Sequence, residues 1–464
     1  MSIEAGRATT RAGTTTLPAL AAFVTSASPP PAARARAATA ILDTIGVALA
    51  GASEPASRAV QRAIAGDGGQ ACTVVGTDLR SSATGAALAN GTAAHALDYD
   101  DMCFVSLAHP SAPLVPALLA AGELTGASGS TLVDAYVIGF EIEARLGRLM
   151  NPRHYQRGWH CTSTLGAIGA AAAVSRLMGL NARAAGHAIA IAASEASGLK
   201  ENFGTMVKPL HAGLAARDGV LAARLAHSGL TASALALDGP QGFLHAMDSE
   251  RDDLEHEAAD LGARWEIVDS GITVKLYPSC AGTHPALDAI LALRRQEGFT
   301  AEGVDRIDVD VDAITPTVLI YDRPSTGLQA KFSMPFCAAA AVVFGRVGVE
   351  TFEADRLSDP RVASLQSRVT MTVDSTLGVG APALTQARIH VHLRDGRTLV
   401  EMANGARGYP GSPATDAELD AKFMSCATRT ISEPSARQAL ELLRRIDRLS
   451  NVSELRTYVS PGPP

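Results

Sequence analysis

The hydrophobic period of this chain changes near residue 272, and that change narrows the folds open to it. Before it, from Leu17 to about 270, Ala and Leu are dense, β-branched runs are scarce, and single Gly or Pro residues punctuate the segments. Such a stretch predicts helix after helix. Over 32–50, Ala38, Ile41, Leu42, Ile45 and Leu49 fall on one helical face. The small-residue stretches 166–174 and 184–193 predict helices whose backbones approach closely, as inner helices of a bundle. After 272 the period is two. Over 306–313, Ile307, Val309 and Val311 alternate with Asp308, Asp310 and Asp312, and 368–374 and 388–394 repeat the pattern. Asp395-Gly396 is a hairpin signal leading to a strand over 398–402. Helices such as 332–344 face this sheet, and helix returns after about 415 and runs through Leu449. The fold class read from this is mostly α, a large all-helical domain plus a smaller α+β lid domain. Residues 17–272 form the first part of the helical domain, 273–404 the lid and 405–464 the return, with 1–16 disordered.

Composition removes several function classes. With 47% apolar and 19% charged residues the chain is globular, and its net charge of -7 argues against a nucleic-acid binder. Six scattered cysteines without a CxxC pair fit reduced thiols and a cytoplasmic protein. No apolar run reaches membrane-spanning length, since the best candidate, 165–180, is broken by Ser175 and Arg176. No membrane or nucleic-acid partner is therefore expected. Of the 40 basic residues only five are lysine, at 200, 208, 275, 331 and 422. Codon usage accounts for the scarcity, yet each lysine that remains is a group whose proton can be lost on desolvation, unlike that of arginine.

Several clusters could carry chemistry. Asn90-Gly91 is followed by His95, Asp98, Asp100, Asp101 and then His109. If helical, His95 and Asp98 share a face. The cluster reads as a solvated helix end, an acid-base site with a carboxylate-oriented histidine, or a metal site. Tyr155 to Thr164 carries Trp159 and His160, with Thr162 and Ser163 as N-cap candidates for the Ala-rich helix. Lys208, in Val207-Lys208-Pro209-Leu210-His211, lies between apolar stretches; it is either a base depressed by burial or a lysine reaching to solvent. Lys275 to Pro285, with Cys280 and His284, sits where helix gives way to strand, the place for an interdomain site or a plain linker. Tyr321-Asp322-Arg323-Pro324 reads as a surface turn, followed by Lys331-Phe332-Ser333. GxSxG, P-loop, HExxH and Rossmann motifs are absent. What remains is a set of His, Lys, Tyr and Asp suited to proton transfer next to a carboxylate or carbonyl.

Taken together, Asn90-Gly91, His95 to Asp101, His109-Pro110-Ser111, Gly158 to Thr164, Gly179-Leu180-Asn181, Lys208 to Gly213, Lys275 to Pro285 and Lys331-Phe332-Ser333 resemble the MmgE/PrpD family, the 2-methylcitrate dehydratase-like proteins. The resemblance runs from about Leu17 to Val459. It implies a helical domain with an α+β lid, a cleft between them, a homodimer, and neither metal nor cofactor. It also implies a small polycarboxylate substrate. Activities in the family are 2-methylcitrate dehydration, cis-aconitate decarboxylation and iminodisuccinate epimerisation. Asp98, His109, His160, Lys208, Lys275 and Tyr321 match positions that line the cleft of the decarboxylases.

Two positions depart from that pattern: Met102 stands where a threonine is usual, and Cys280 where the decarboxylases carry a histidine. Losing two polar contacts weighs against decarboxylation and, less, dehydration. The expectation is therefore epimerisation of iminodisuccinate, with 2-methylcitrate dehydration as the alternative and cis-aconitate decarboxylation behind it. Lys208 and Tyr155 are the expected acid-base pair, with His109 held by Asp98 as the next candidate. His160, Lys275, Tyr321, Met102, Cys280 and His284 are the expected substrate-binding residues, around a locally positive cleft.

Overall fold

A computed structural model of the protein describes residues 16–378 and 385–461. The disorder expected of 1–16 thus falls, but for Thr16, outside the described residues, as does most of the proline tail.

The first half is a helical bundle, as its period requires. Its long helices are α1 (Leu17–Ser26), α2 (Pro31–Gly51), α3 (Ala83–His95), α4 (Ser111–Thr125), α5 (Gly129–Met150), α6 (Cys161–Leu177), α7 (Ala182–Glu195) and α8 (Val207–His227). Every residue of α6 except Arg176 is buried, because α4, α5, α7 and α8 pack around it. Small residues make that possible. Where α3 meets α8, a Cβ on Gly91 would stand 2.8 Å from the Gly213 Cα, and one on Gly213 would collide with the Leu88 carbonyl. This near-contact of backbones brings the C-terminus of α3 to the N-terminus of α8.

The bundle departs from the sequence reading beyond His227. From there to 272 the chain makes only one-turn helices, Phe243–Ala246, Leu254–Ala258 and Glu266–Asp269. Gly229, Gly239-Pro240, Gly242 and Gly262 interrupt helix too often for longer elements. Arg145 of α5, 1% exposed, ties this segment down by donating to Glu141 (2.8 Å) and to the carbonyls of Glu257 and Arg264 (2.9 Å each).

The lid is a four-stranded sheet faced by helices. Its strands are β1 (Val304–Val311), β2 (Val369–Val373), β3 (Ala387–Leu393) and β4 (Thr398–Ala403), in the order β2-β1-β3-β4. β1 pairs parallel with β2; the other pairs are antiparallel. The alternation sets the register: Ile307, Val309, Val311, Ile389 and Val391 are fully buried beneath α9 (His284–Glu297) and α10 (Met334–Phe344). On the other face His392 reaches Asp308 at 2.9 Å. Ser333 caps α10. The chain then returns to the bundle in α11 (Asp416–Ala427) and α12 (Glu433–Leu443), which pack on α2; 3₁₀ turns rather than helix follow Leu443.

Two large hydrophobic cores result among the described residues. One joins Leu17 through Ile272 with Phe423 through Val459, and the other lies between Tyr277 and Leu393. Backbone bonds of Met102 with Thr273 (2.9 and 2.8 Å) and of Val274 with Gly408 (3.0 Å) join the two halves of the molecule.

Candidate active site

Between α3 and α4 the chain makes a turn that a regular helix would forbid. α3 ends at His95, and Asp98 follows in the left-handed region with φ +52°. His95 and Asp98 therefore do not share a helix face. They meet instead on Lys208, at the start of α8: its Nζ lies 2.9 Å from His95 Nε2 and donates to Asp98 Oδ1 at 2.8 Å. Lys275 Nζ adds bonds to the Asp98 carbonyl (3.0 Å) and stands 3.2 Å from the same Oδ1.

All five lysines close on this site. Lys331 Nζ donates to the Leu97 carbonyl at 2.7 Å, and Lys422 Nζ to the Tyr99 carbonyl at 2.8 Å while pairing with Asp43 at 2.7 Å. Four lysines thus clamp the three residues of one strained turn. The fifth, Lys200, lies 3.5 Å above the Tyr155 ring and donates to the Tyr155 carbonyl at 3.2 Å. Burial pushes the Lys331 ammonium down to about 8.

Behind Lys208 runs a chain of acid-base groups. His95 Nδ1 is 2.7 Å from Asp100 Oδ2, and His109 Nδ1 is 3.2 Å from that same oxygen. The expectation that Asp98 holds His109 needs correction: that pair is 3.8 Å apart, Asp98 is engaged by the lysines, and Asp100 is the nearer carboxylate. His160 stacks on His95 with ring centres 5.7 Å apart, and its Nδ1 is 3.0 Å from Nδ1 of His211. Thr162 and Ser163 do not cap α6: the Thr162 hydroxyl accepts from the His109 backbone N–H (3.0 Å), and Ser163 donates to the His211 carbonyl (3.3 Å).

Charges of both signs meet in this cluster. Burial alone would raise Asp98 and Asp100, yet Lys208 and Lys275 beside Asp98, and His95 and His109 beside Asp100, hold both well below the usual carboxylate range. Burial lowers His95 to about 4 against the pull of Asp100. Burial, with Lys275 adding to it, lowers His109; burial and Lys208 lower His160 well below its ordinary value. Lys208 and Lys275 both meet Asp98, while Asp100 lies between histidines held below their ordinary values, so two buried carboxylates offset part of the lysine charge gathered here. Donor atoms of His95, Asp98, Asp100 and His109 lie within 4.8 Å of one another and could by spacing hold a cation. Lys208 and Lys275 already bring positive charge to that carboxylate.

The cluster opens on a cavity of about 140 Å³ lined by Asp98, Met102, His109, Tyr155, His160, Lys208 and Cys280, among others. Three expected substrate-binding residues do not line it. Lys275 is fully buried behind Asp98. His284 packs edge-on against Tyr277 at 5.2 Å, with its Nε2 at 3.1 Å from the Ser279 carbonyl. Tyr321 donates to the Phe203 carbonyl at 2.9 Å, joining lid to bundle. Phe203 and Phe332, which sequence reasoning did not select, place their rings 5.3 Å from Lys208 Nζ. His95, Asp100 and His211 were also not among the selected site residues, although each sits inside a motif that was. Burial raises the Cys280 thiol to about 11 and Tyr155 well above its ordinary value.

Comparison with known proteins agrees with this architecture. The MmgE/PrpD N-terminal domain matches residues 16–255, and the MmgE/PrpD C-terminal domain matches residues 277–448. The chain is 28% identical to a cis-aconitate decarboxylase-like protein, oryM, of Aspergillus oryzae, over 92% of each chain. It is also 28% identical to the cis-aconitate decarboxylase of Homo sapiens, over 83% of this chain and 82% of the relative. The same identity holds against the cis-aconitate decarboxylase of Aspergillus terreus, over 90% of each. With both family domains matched in order along most of its length, this chain belongs to the MmgE/PrpD family.

Proposed function

We propose that the protein is a lyase acting on a small unsaturated polycarboxylate, and that its reaction is the decarboxylation of a cis-aconitate-type acid. The relatives named above are cis-aconitate decarboxylases or decarboxylase-like, so the epimerisation expected from Met102 and Cys280 gives way to the reading placed last of the three, behind dehydration. The observation that carries the proposal is the placement of Lys208. An ammonium has three N–H donors. Two are directed at His95 and Asp98, which leaves the third for the cavity that Lys208 lines.

Decarboxylation of such an acid needs one proton. The bond to the departing carboxylate breaks, its electron pair forms a new C=C bond to the adjacent alkene carbon, and the electrons of the old double bond take a proton at the far alkene carbon. Carbon dioxide leaves and the alkene has moved by one bond. Lys208 supplies that proton as general acid, and His109 and His160 hold the remaining carboxylates by hydrogen bonds. His95 and Asp100 do not line the cavity; they fix the direction of the Lys208 N–H bonds and are positioning residues. Tyr155 lines the cavity as a second acid.

The test is proton NMR in deuterated water with cis-aconitate and related acids. The expected result is release of carbon dioxide and one deuterium on the product carbon. Deuterium exchange at an α-carbon without loss of carbon dioxide would return the reading to epimerisation. Loss of water from 2-methylcitrate would favour dehydration. A homodimer, which the family resemblance implies, belongs to the same proposal and is checked by sedimentation. Among the described residues no single helix is long and apolar enough to cross a membrane.

A further inference from the structure

We infer that the substrate of this site carries an apolar arm, an alkyl chain on its carbon skeleton beyond the carboxylates met by Lys208 and the histidines. This rests on the lyase reading above and names the substrate class more narrowly. Four of the polar groups of the cavity, Asp98, His109, His160 and Lys208, are contributed around α3, α6 and α8. Much of the remaining wall is hydrocarbon: Met102, Phe104 and Leu107 from the loop before α4, and Ile314 and Val318 from the lid.

Asp312 and Thr315 within that wall are engaged with one another. Asp312 accepts from the N–H groups of Ile314 and Thr315 and from the Thr315 hydroxyl, all at 2.9 Å. Among the described residues this part of the wall presents a carboxylate, Asp312, to the cavity, and a further carboxylate of the ligand set against it would lose its water without compensation.

The loop is also built to present its side chains. Cys103 and Ala108 pair through bonds of 2.9 and 3.3 Å, closing a tight turn that holds Leu107 at φ +48°. A leucine rarely adopts this conformation. Asn151 donates to the Ser106 carbonyl at 2.8 Å and fixes the turn against α5. Phe104 packs on Tyr409 with ring centres 5.1 Å apart. A strained, clamped turn that holds an apolar side chain at a cavity wall is the kind retained for a ligand.

The experiment uses the full-length protein with cis-aconitate and analogues bearing methyl, ethyl, propyl or butyl on the methylene carbon. Carbon dioxide release gives kcat/KM, and calorimetry gives affinity independently. The expected result is a rise of roughly fourfold per methylene in one or both, the gain for burying one CH₂, until the wall is filled. Leu107→Gly should fold, because glycine takes positive φ freely, and should flatten this rise; Val318→Ala should flatten it too. Affinity that rises along the series without carbon dioxide release would keep the arm and remove decarboxylation. Carbon dioxide release from cis-aconitate, with each added carbon lowering both rate and affinity, would remove the arm and keep decarboxylation. An unchanged rise in both folded variants would overturn the assignment of the arm to this wall.

Discussion

His95→Asn separates the two bonds of the buried chain behind Lys208. In the protein, His95 Nδ1 meets Asp100 at 2.7 Å and Nε2 meets Lys208 at 2.9 Å. An asparagine amide nitrogen falls near the place of Nδ1, so donation to Asp100 survives while Lys208 loses its acceptor. A glutamine oxygen reaches the place of Nε2, so His95→Gln keeps the Lys208 bond. A hydrogen bond to a charged group contributes about 1.5–3 kcal/mol. If that bond serves to aim the Lys208 proton, its loss lowers kcat by roughly 10- to 150-fold, with KM little changed, because His95 does not touch substrate. Gln should recover most of the loss. Asp100→Asn should be worse than His95→Asn: its amide can donate to Nδ1, leaving the imidazole proton on Nε2, donor against donor at Lys208. Because His95 is lowered to about 4, it is a neutral acceptor above that pH, and the wild-type rate should fall as pH drops through it. The assay is carbon dioxide release as a function of pH for the four proteins. Equal losses in Asn and Gln, or a wild-type kcat and pH profile in Asn, would refute the reasoning.

Three further outcomes are expected. His109 and His160 are held below their ordinary values, so a bound carboxylate raises them and binding takes up protons; affinity should strengthen from pH 8 toward pH 6, and calorimetry in two buffers of different ionisation enthalpy should show the uptake. Cys280, raised to about 11, should react with iodoacetamide at pH 7 roughly 300-fold more slowly than a free cysteine although it lines the cavity, by mass spectrometry of the labelled peptide. Gly213→Ala puts a methyl group against the Leu88 carbonyl and the Thr92 hydroxyl; it should cost about 1–3 kcal/mol in urea unfolding and also lower kcat, because α3 and α8 must separate.

What could be read in the sequence was what depends on local period. The Ala-rich stretch 166–174 lies inside α6, where only Arg176 escapes burial, and the alternating stretches became β1 to β4 with ends shifted by a residue or two. The reading lost the chain between His227 and 272, where short apolar runs do not distinguish a one-turn helix from a longer one. Within the site, Lys208 and His160 stood out by residue type, and both line the cavity. Tyr321, Lys275 and His284 stood out equally, but each makes its contacts outside the cavity wall.

The amino-acid sequence by itself determined two things: a helical bundle carrying a lid, and which stretches hold titratable groups. Both follow from neighbours along the chain, through the 3.6- and two-residue periods and the rarity of lysine. Partnership was decided only by the tertiary structure. Asp98 belongs to Lys208 and Lys275 rather than to His109, because a left-handed turn after α3 and the glycine crossing of α3 with α8 bring together groups 110 and 177 residues apart. Asp100 joins His95 in place of the helical pairing expected of Asp98, and four lysines converge on three residues from four separate segments. Charge balance in the cleft is likewise a property of distances. Five lysines counted along a chain predict a positive site; in the fold Lys208 and Lys275 share Asp98 and Lys422 pairs with Asp43, each at 3.2 Å or less, while Lys331 and Lys200 rest on backbone carbonyls, beside a cavity with an apolar wall.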